Sequence, residues 1–242
     1  MIGKQRDNMK KIGIIGAMEE EVKRLKDHME DVNIKSIASL DFYEGTLEGS
    51  PVVVVKCGIG KVNAAICTQI LVDRYGINLV INTGIAGSLR TEIDITDIVI
   101  STDTLHHDMD ASGFGYDIGV IPRMAQSTFQ ADEKMIDLAI KTCKELLPSV
   151  GVHQGRVVSG DQFISDSDKK KWLVNTFNGY CTEMEGAAIA QAAYLNSIPF
   201  LIIRAISDKA DNSAEMEYAK FEAIAIDNTV KLLVGLIKNI II

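Results

Sequence analysis

The residues of this chain best suited to chemistry gather around one stretch, Cys181–Asp211. Glu183-Met184-Glu185 opens an alanine-rich segment, Arg204 lies inside the apolar run Pro199–Ile206, and Ser207-Asp208 closes that run. A strand so apolar is buried on both faces, as in parallel or mixed sheets under helical cover. Ligands in such sheets sit beyond the carboxyl ends of strands, where Ser207 and Asp208 fall. Acids at buried strand ends are candidates for acid chemistry. A second cluster, Glu19-Glu20-Glu21, follows another apolar run. The helix macrodipole favours acids in a first turn and accounts for one or two of the three. A strand end followed by a helix start is also a site position, which makes Glu21 the candidate.

The elements that must position these groups alternate along the chain. Lys10–Gly16 is predicted as a buried strand that turns through Ala17-Met18 into a helix near Glu19. Phe42–Gly49 and Pro51–Cys57 form a predicted hairpin about Gly49-Ser50, followed by Gly58-Ile59-Gly60-Lys61 and a helix to about Tyr75. That loop ends like a P-loop, but Val55 and Val62 occupy the places of the required Gly and Ser/Thr, which excludes a nucleoside triphosphate. Gly13 and Gly16 likewise lack the spacing of a dinucleotide fingerprint. Asn78–Asn82 is a predicted strand, and Thr83–Ser88 after it reads as a glycine-rich opening with exposed backbone N–H groups or as a tight turn. Asp97–Ser101 is the next strand, and residues 102–124 form a long irregular connection with Phe114, Tyr116 and Pro122. His106 and His107 are adjacent and lack a third ligand at a metal-binding spacing, so no metal is expected. Helices are predicted over about 131–147, over a short segment containing Trp172 capped by Ser167-Asp168, and over about 214–237. Gly155–Ser159 is a strand, and Phe163 beyond it is either core or a ring placed to stack on a flat ligand. Strands alternating with helices give an α/β fold, a layered αβα arrangement around a central mixed β-sheet.

Composition narrows the partners. With 242 residues and 47% hydrophobic content, one domain over residues 9–242 is expected, with residues 1–8 as an N-terminal extension and Met9 at the start of the first strand. The net charge of −8 argues against nucleic acid and anionic membrane surfaces. Four cysteines without a C-x-x-C pair, and no apolar leader, suit reduced thiols in a cytoplasmic protein.

The stretches KIGIIGAMEEE, GIGKVNAA, INTGIAGSL, SGFGYD, VVSGDQFI, TEMEGAAIA and RAISDKAD, in this order over about residues 10–230, resemble the 5′-methylthioadenosine/S-adenosylhomocysteine nucleosidases of the purine nucleoside phosphorylase superfamily. The resemblance implies a nucleoside phosphorylase-like fold and hydrolysis of a ribose–adenine bond without a cofactor. By it, Asp208 protonates adenine at N7 with help from Ser207, and Glu21 orients and deprotonates the attacking water with Arg204 nearby. Met184 and Glu185 match residues that hold the ribose. Phe163 matches the ring that stacks on adenine, and the Ile164 backbone matches the group that reads its edge. Ala86 and Gly87 line the same cavity, with Met18, Ile59 and Glu183 in the substrate-binding set. Phe114 and Pro122 match residues that close the 5′-alkylthio pocket from a second subunit, implying a homodimer. Ile85 departs from the Ser or Val frequent there. Cleaving such a bond leaves a cationic sugar and an anionic purine, and paired carboxylates serve both ends, as in glycoside hydrolysis. Burial and neighbouring acids would hold Asp208 partly protonated at neutral pH. Two other readings stay open: a phosphorylase on the same fold, against which the acids of the first βα turn argue, and a nucleoside-binding protein without catalysis.

Overall fold

A computed structural model describes residues 11–240. The extension at 1–8, the start at Met9 and the beginning of the first strand at Lys10 lie outside the described residues. Among the described residues the sheet contains ten strands: β1 Ile12–Gly16, β2 Glu30–Ile37, β3 Leu40–Leu47, β4 Ser50–Lys56, β5 Leu79–Ser88, β6 Ile98–His106, β7 Thr128–Gln130, β8 Val152–Ser159, β9 Cys181–Glu183 and β10 Phe200–Asp208. The helices are α1 Glu19–Asp27, α2 Lys61–Ile70, α3 Glu133–Leu146, α4 Ser167–Phe177, α5 Gly186–Leu195 and α6 Ala214–Asn239.

Parallel pairing joins β4, β1, β5 and β10, while β2, β3 and β4 form an antiparallel meander at one side. On the other side β10 pairs antiparallel with β6, β6 parallel with β8, β8 parallel with β9, and β9 antiparallel with β5. Because β10 also pairs with β5, these five strands close into a ring. The mixed, layered α/β expectation holds, with this closure added. Every residue of β1, β5 and β10 is buried, as sheet strands are when helices cover both faces. The helices form two packed groups, α6 with α1 and α3, and α2 with α5, each in contact with β5 and β10. The main core runs between these layers, and a smaller cluster of Leu89, Leu105, Val158, Ile164, Leu173, Phe177 and Ala210 lies with α4.

Several predicted boundaries need correction. Thr83–Ser88 is not a turn: β5 continues through it, and its backbone pairs with β10 and β9. Its glycines serve close approach, since a Cβ on Gly84 would lie 2.6 Å from Glu21 Oε1. The connection after Ser101 is not irregular at its start, because β6 runs to His106 by pairing with β7 and β8. The helix expected to reach Tyr75 is α2 followed by a π-helical turn at Leu71–Tyr75, stopped by Gly76 at φ +63°. The cap of α4 is Asp166, whose carboxylate accepts from Lys169 N at 2.7 Å, not Ser167-Asp168. The hairpin turn is at Glu48-Gly49, both at positive φ, which matches the right-handed strand twist.

Candidate active site

Ser207 and Asp208 do not lie beyond β10; they are its last two residues. The register against β5 slips between Ile206 and Asp208. In a regular strand two successive side chains face opposite sides. The bulge bends the strand so that both line one cavity of about 510 Å³, a volume suited to a small ligand. Asp208 Oδ2 accepts from the Ser207 hydroxyl at 2.8 Å, and Oδ1 accepts from Ala210 N at 2.8 Å. Burial pushes the Asp208 carboxyl above the usual range; these two hydrogen bonds oppose the shift, and Glu217 and Asp211 add to it. Gly87 leaves the room needed, since a Cβ there would lie 2.8 Å from Asp208 Oδ1.

The strand-to-helix step from β1 to α1 supplies Glu21. Of the three consecutive acids only Glu21 is buried. It is the third residue of α1 and reaches back to the helix start, accepting from Ala17 N at 2.6 Å and Met18 N at 2.9 Å. Ile85 N donates to its other oxygen at 3.3 Å. Burial raises the Glu21 pKa, against the pull of Arg204 and these three amides. Glu19 instead pairs with Lys26 at 3.0 Å, and Glu20 is exposed.

Glu183 ends β9, and Glu185 precedes α5. Glu183 caps α5, accepting from Gly186 N at 2.8 Å and Glu185 N at 3.1 Å, and it is hydrogen-bonded to the Ser159 hydroxyl and ion-paired with Arg204. Burial alone would raise it, but Arg204, Ser159 and the Gly186 amide overcome that and hold it below the ordinary carboxylate range. Glu185 accepts from Gly60 N at 2.9 Å and lies 3.9 Å from Arg204. Burial, then the charge of Glu183, pushes Glu185 up. Arg204 also donates to Asn82 Oδ1 at 2.5 Å. Its charge is retained despite burial because Glu183, Glu185 and Glu21 surround it. One cation therefore serves three buried acids, and its negative partner is chiefly Glu183.

The cavity is lined by Met18, Glu21, Ile59, Ala86, Gly87, Phe163, Ile164, Glu183, Met184, Glu185, Ser207 and Asp208, twelve of the fifteen candidates. Arg204 is the exception among the polar ones: it stands behind the wall, 2% exposed, and touches the cavity only through the acids it holds. Phe114 and Pro122 do not line this chain's cavity; Phe114 is 88% exposed. Phe163 is not core. It is 49% exposed at the cavity and meets Tyr218 edge-on, with centroids 6.1 Å apart. Sequence reasoning missed Tyr218 and Glu215 on α6, and also Gln162, Thr182 and Ala17. The α6 pattern signalled only a helix covering the sheet, whereas Gln162 and Thr182 adjoin residues already singled out. Among the described residues, five that line the cavity are acidic and none is basic. Such a wall offers an anion no cation, and those of its acids that are ionised stabilise developing positive charge. His106 and His107 lie off this wall, and among the described residues no three His, Cys, Asp or Glu converge as metal ligands would.

The family profile described as Phosphorylase superfamily matches residues 11–238. A 5′-methylthioadenosine/S-adenosylhomocysteine nucleosidase of Exiguobacterium sp. is 42% identical over 231 residues, 95% of this chain and 98% of that protein. The crystal structure of the nucleosidase of the same name from Neisseria meningitidis, in complex with methylthio-immucillin-A, superposes with a TM-score of 0.91 at 38% identity, covering 96% of this chain and all (100%) of that one. The native structure of futalosine hydrolase of Helicobacter pylori gives a TM-score of 0.90 at 30% identity, covering 96% and 99%.

Proposed function

This chain belongs to the phosphorylase superfamily, among its 5′-methylthioadenosine/S-adenosylhomocysteine nucleosidases, and from that premise we propose how its residues hydrolyse the N-glycosidic bond. Asp208, whose carboxyl burial shifts toward the protonated form and Ser207 steers, donates its proton to N7 of the departing adenine. Glu21, fixed by three backbone amides, orients the water and takes its proton as the C1′–N9 bond opens. Glu185 receives the ribose hydroxyls, and the ionised Glu21 that acts as base, with Glu183 held ionised by Arg204, steadies the oxocarbenium-like sugar. Phe163 stacks on the purine, the Ile164 backbone reads its edge, and Ala86, Gly87, Met18, Ile59 and Met184 complete the envelope. Arg204 acts at one remove by holding Glu183, and with it the start of α5.

The observation that carries this reading is a wall to which the described residues bring five acids and no base. A phosphorylase needs converging cations or free helix N-termini for its phosphate. Here the buried cation is held by Glu183, and acids meet the cavity from β9, β10, α1 and α6. The substrates are 5′-methylthioadenosine and S-adenosylhomocysteine, and the products feed methionine salvage and the clearing of S-adenosylmethionine by-products. The working unit is a homodimer in the cytoplasm, with Phe114 and Pro122 closing the neighbouring 5′ pocket. The exposure of Phe114, and of Ile59, Val62 and Ile66 about α2, supports that assembly.

Adenine release in phosphate-free buffer tests the reaction class: full turnover is expected, and strict dependence on added phosphate would overturn it. Comparing kcat/KM for methylthioadenosine, S-adenosylhomocysteine, 5′-deoxyadenosine and aminodeoxyfutalosine tests the substrate. A preference for either of the last two would replace the assignment. Light scattering should give twice the chain mass of 26.4 kDa.

A further inference from the structure

We propose that Lys61, Asp108 and Asp161 form a clasp that positions the purine-stacking loop and the ribose carboxylate without touching the ligand. None of the three lines the cavity, yet their neighbours Ile59, Gln162, Phe163 and Ile164 do. The clasp ties the start of α2 to the residues just after β6 and β8, two strands whose pairing ends at His106 and Ser159, with His107 N donating to Ser159 O at 2.9 Å as the last backbone bond between them. Asp108 uses both oxygens. Oδ1 meets Lys61 Nζ at 2.6 Å, and Oδ2 accepts from Asp161 N at 3.0 Å. Asp161 returns the bond, its Oδ1 accepting from Lys61 N at 2.8 Å.

The second half of the clasp is a helix cap supplied from another loop. The residue before α2 is Gly60, at φ +96° and without a side chain to cap the helix. Asp161 takes the Lys61 amide in its place, while the Gly60 amide is left to donate to Glu185 Oε1 at 2.9 Å. Both carboxylates face the positive end of α2, where charge-assisted bonds to backbone N–H are strongest. The pair Lys61–Asp108 is only 21% and 19% exposed, so solvent screens it less than a surface ion pair. Burial works against the Asp108 charge, but Lys61 and the Asp161 amide still leave its carboxyl below the ordinary range. Loop 160–164 otherwise has few ties. Gly160 N donates to Glu183 O at 3.1 Å, Gln162 N to Gly160 O at 2.7 Å, and Ile164 is anchored in the small apolar cluster. Releasing Asp108 therefore frees the Asp161 backbone two residues before Phe163.

This inference rests on the nucleosidase reading and deepens it. The test compares Asp108→Asn, Lys61→Met, their double variant and Lys61→Arg with the parent, by KM, kcat, calorimetric adenine binding and Tm. Asp108→Asn and Lys61→Met are each expected to raise KM and the adenine Kd about tenfold while kcat stays within about threefold, since a loop that holds ground and transition states alike affects binding rather than turnover. The double variant should be no worse than either single, because the two act as a unit. Lys61→Arg, which keeps the cation, should stay within about threefold of the parent. A purely structural role would instead lower Tm and kcat together, and that outcome overturns the clasp. So do KM and adenine Kd values unchanged within about twofold. If Asp108→Asn does not fold, Lys61→Met alone decides. A parent that neither turns over nor binds adenine overturns the functional reading and the clasp with it. An active parent with unaltered variants overturns the clasp alone.

Discussion

Replacing Asp208 with asparagine separates proton donation from everything else that residue does. The two side chains have the same shape, and the structure allows the exchange. The asparagine carbonyl could still accept from Ala210 N, as Asp208 Oδ1 does at 2.8 Å. The new NH₂ would face the Ser207 hydroxyl, which can turn to accept and send its own proton to Ala86 O, 3.4 Å away. No buried polar group is left unpaired, so the stability change should be within about 1 kcal/mol. Turnover should fall by about 10²- to 10⁴-fold, the usual worth of a tuned general acid. That is about 2.7–5.4 kcal/mol of barrier at about 1.36 kcal/mol per decade. The parent should lose kcat/KM as pH rises through the raised pKa of Asp208, and also as pH falls through that of Glu21, which burial raises too. In Asp208→Asn the alkaline limb should vanish and the acid limb remain. The stability sign follows from the same shift. A carboxyl whose folded pKa is raised contributes stability below its unfolded pKa of about 3.9 and loses it as pH rises through the folded value. Above that value the variant should be at least as stable as the parent. The assay is adenine release across pH, with Tm measured in parallel. A folded Asp208→Asn enzyme with kcat within tenfold of the parent, or with its alkaline limb intact, would refute the reasoning.

Three further outcomes follow from the same geometry. Arg204→Met leaves Glu183 buried without its cation and should cost about 3–5 kcal/mol by denaturant titration at pH 8. Arg204 depresses the Glu183 pKa, so the parent's gain is lost as pH falls through the folded value, and the deficit of the variant should narrow in acid. Gly84→Ala puts a Cβ 2.6 Å from Glu21 Oε1 and 3.0 Å from Arg204 Nη1; about 1–3 kcal/mol of stability and at least tenfold in kcat should go. Phe163→Ala removes a half-exposed ring whose fold contact is an edge-on meeting with Tyr218, so Tm should barely move while KM rises about tenfold with kcat nearly unchanged.

The sequence was most legible where burial made it simple. The apolar runs at β1, β4 and β10 were found to within a few residues, because a strand covered on both faces admits little but Val, Ile and Leu. It misled where glycine had an unusual reason. Gly84 and Gly87 suggested a turn, yet neither has positive φ; they make room for Glu21, Arg204 and Asp208 inside a strand. Strand β2 escaped notice because Val32 and Ile34 give only two apolar positions of alternation, and the strand is exposed almost throughout, with no core face to extend the pattern. The bulge at Ser207 was invisible as well, since a register slip belongs to two strands at once. Tyr218 and Glu215 reach the cavity because of where α6 begins over the sheet, and no local pattern states that.

The ring of strands has one more consequence. Since β10 turns back onto β5, the chain's one long unpaired rim among the described residues is β2. That rim carries Glu30, Asp31 and Lys35, and a register break near Asp31 twists it. Charge and a bulge on a border strand discourage another chain from adding itself to the ladder. The border strand therefore sets charge and a local twist against sheet-to-sheet fusion of copies, while Val32 and Ile34 are its exposed apolar side chains.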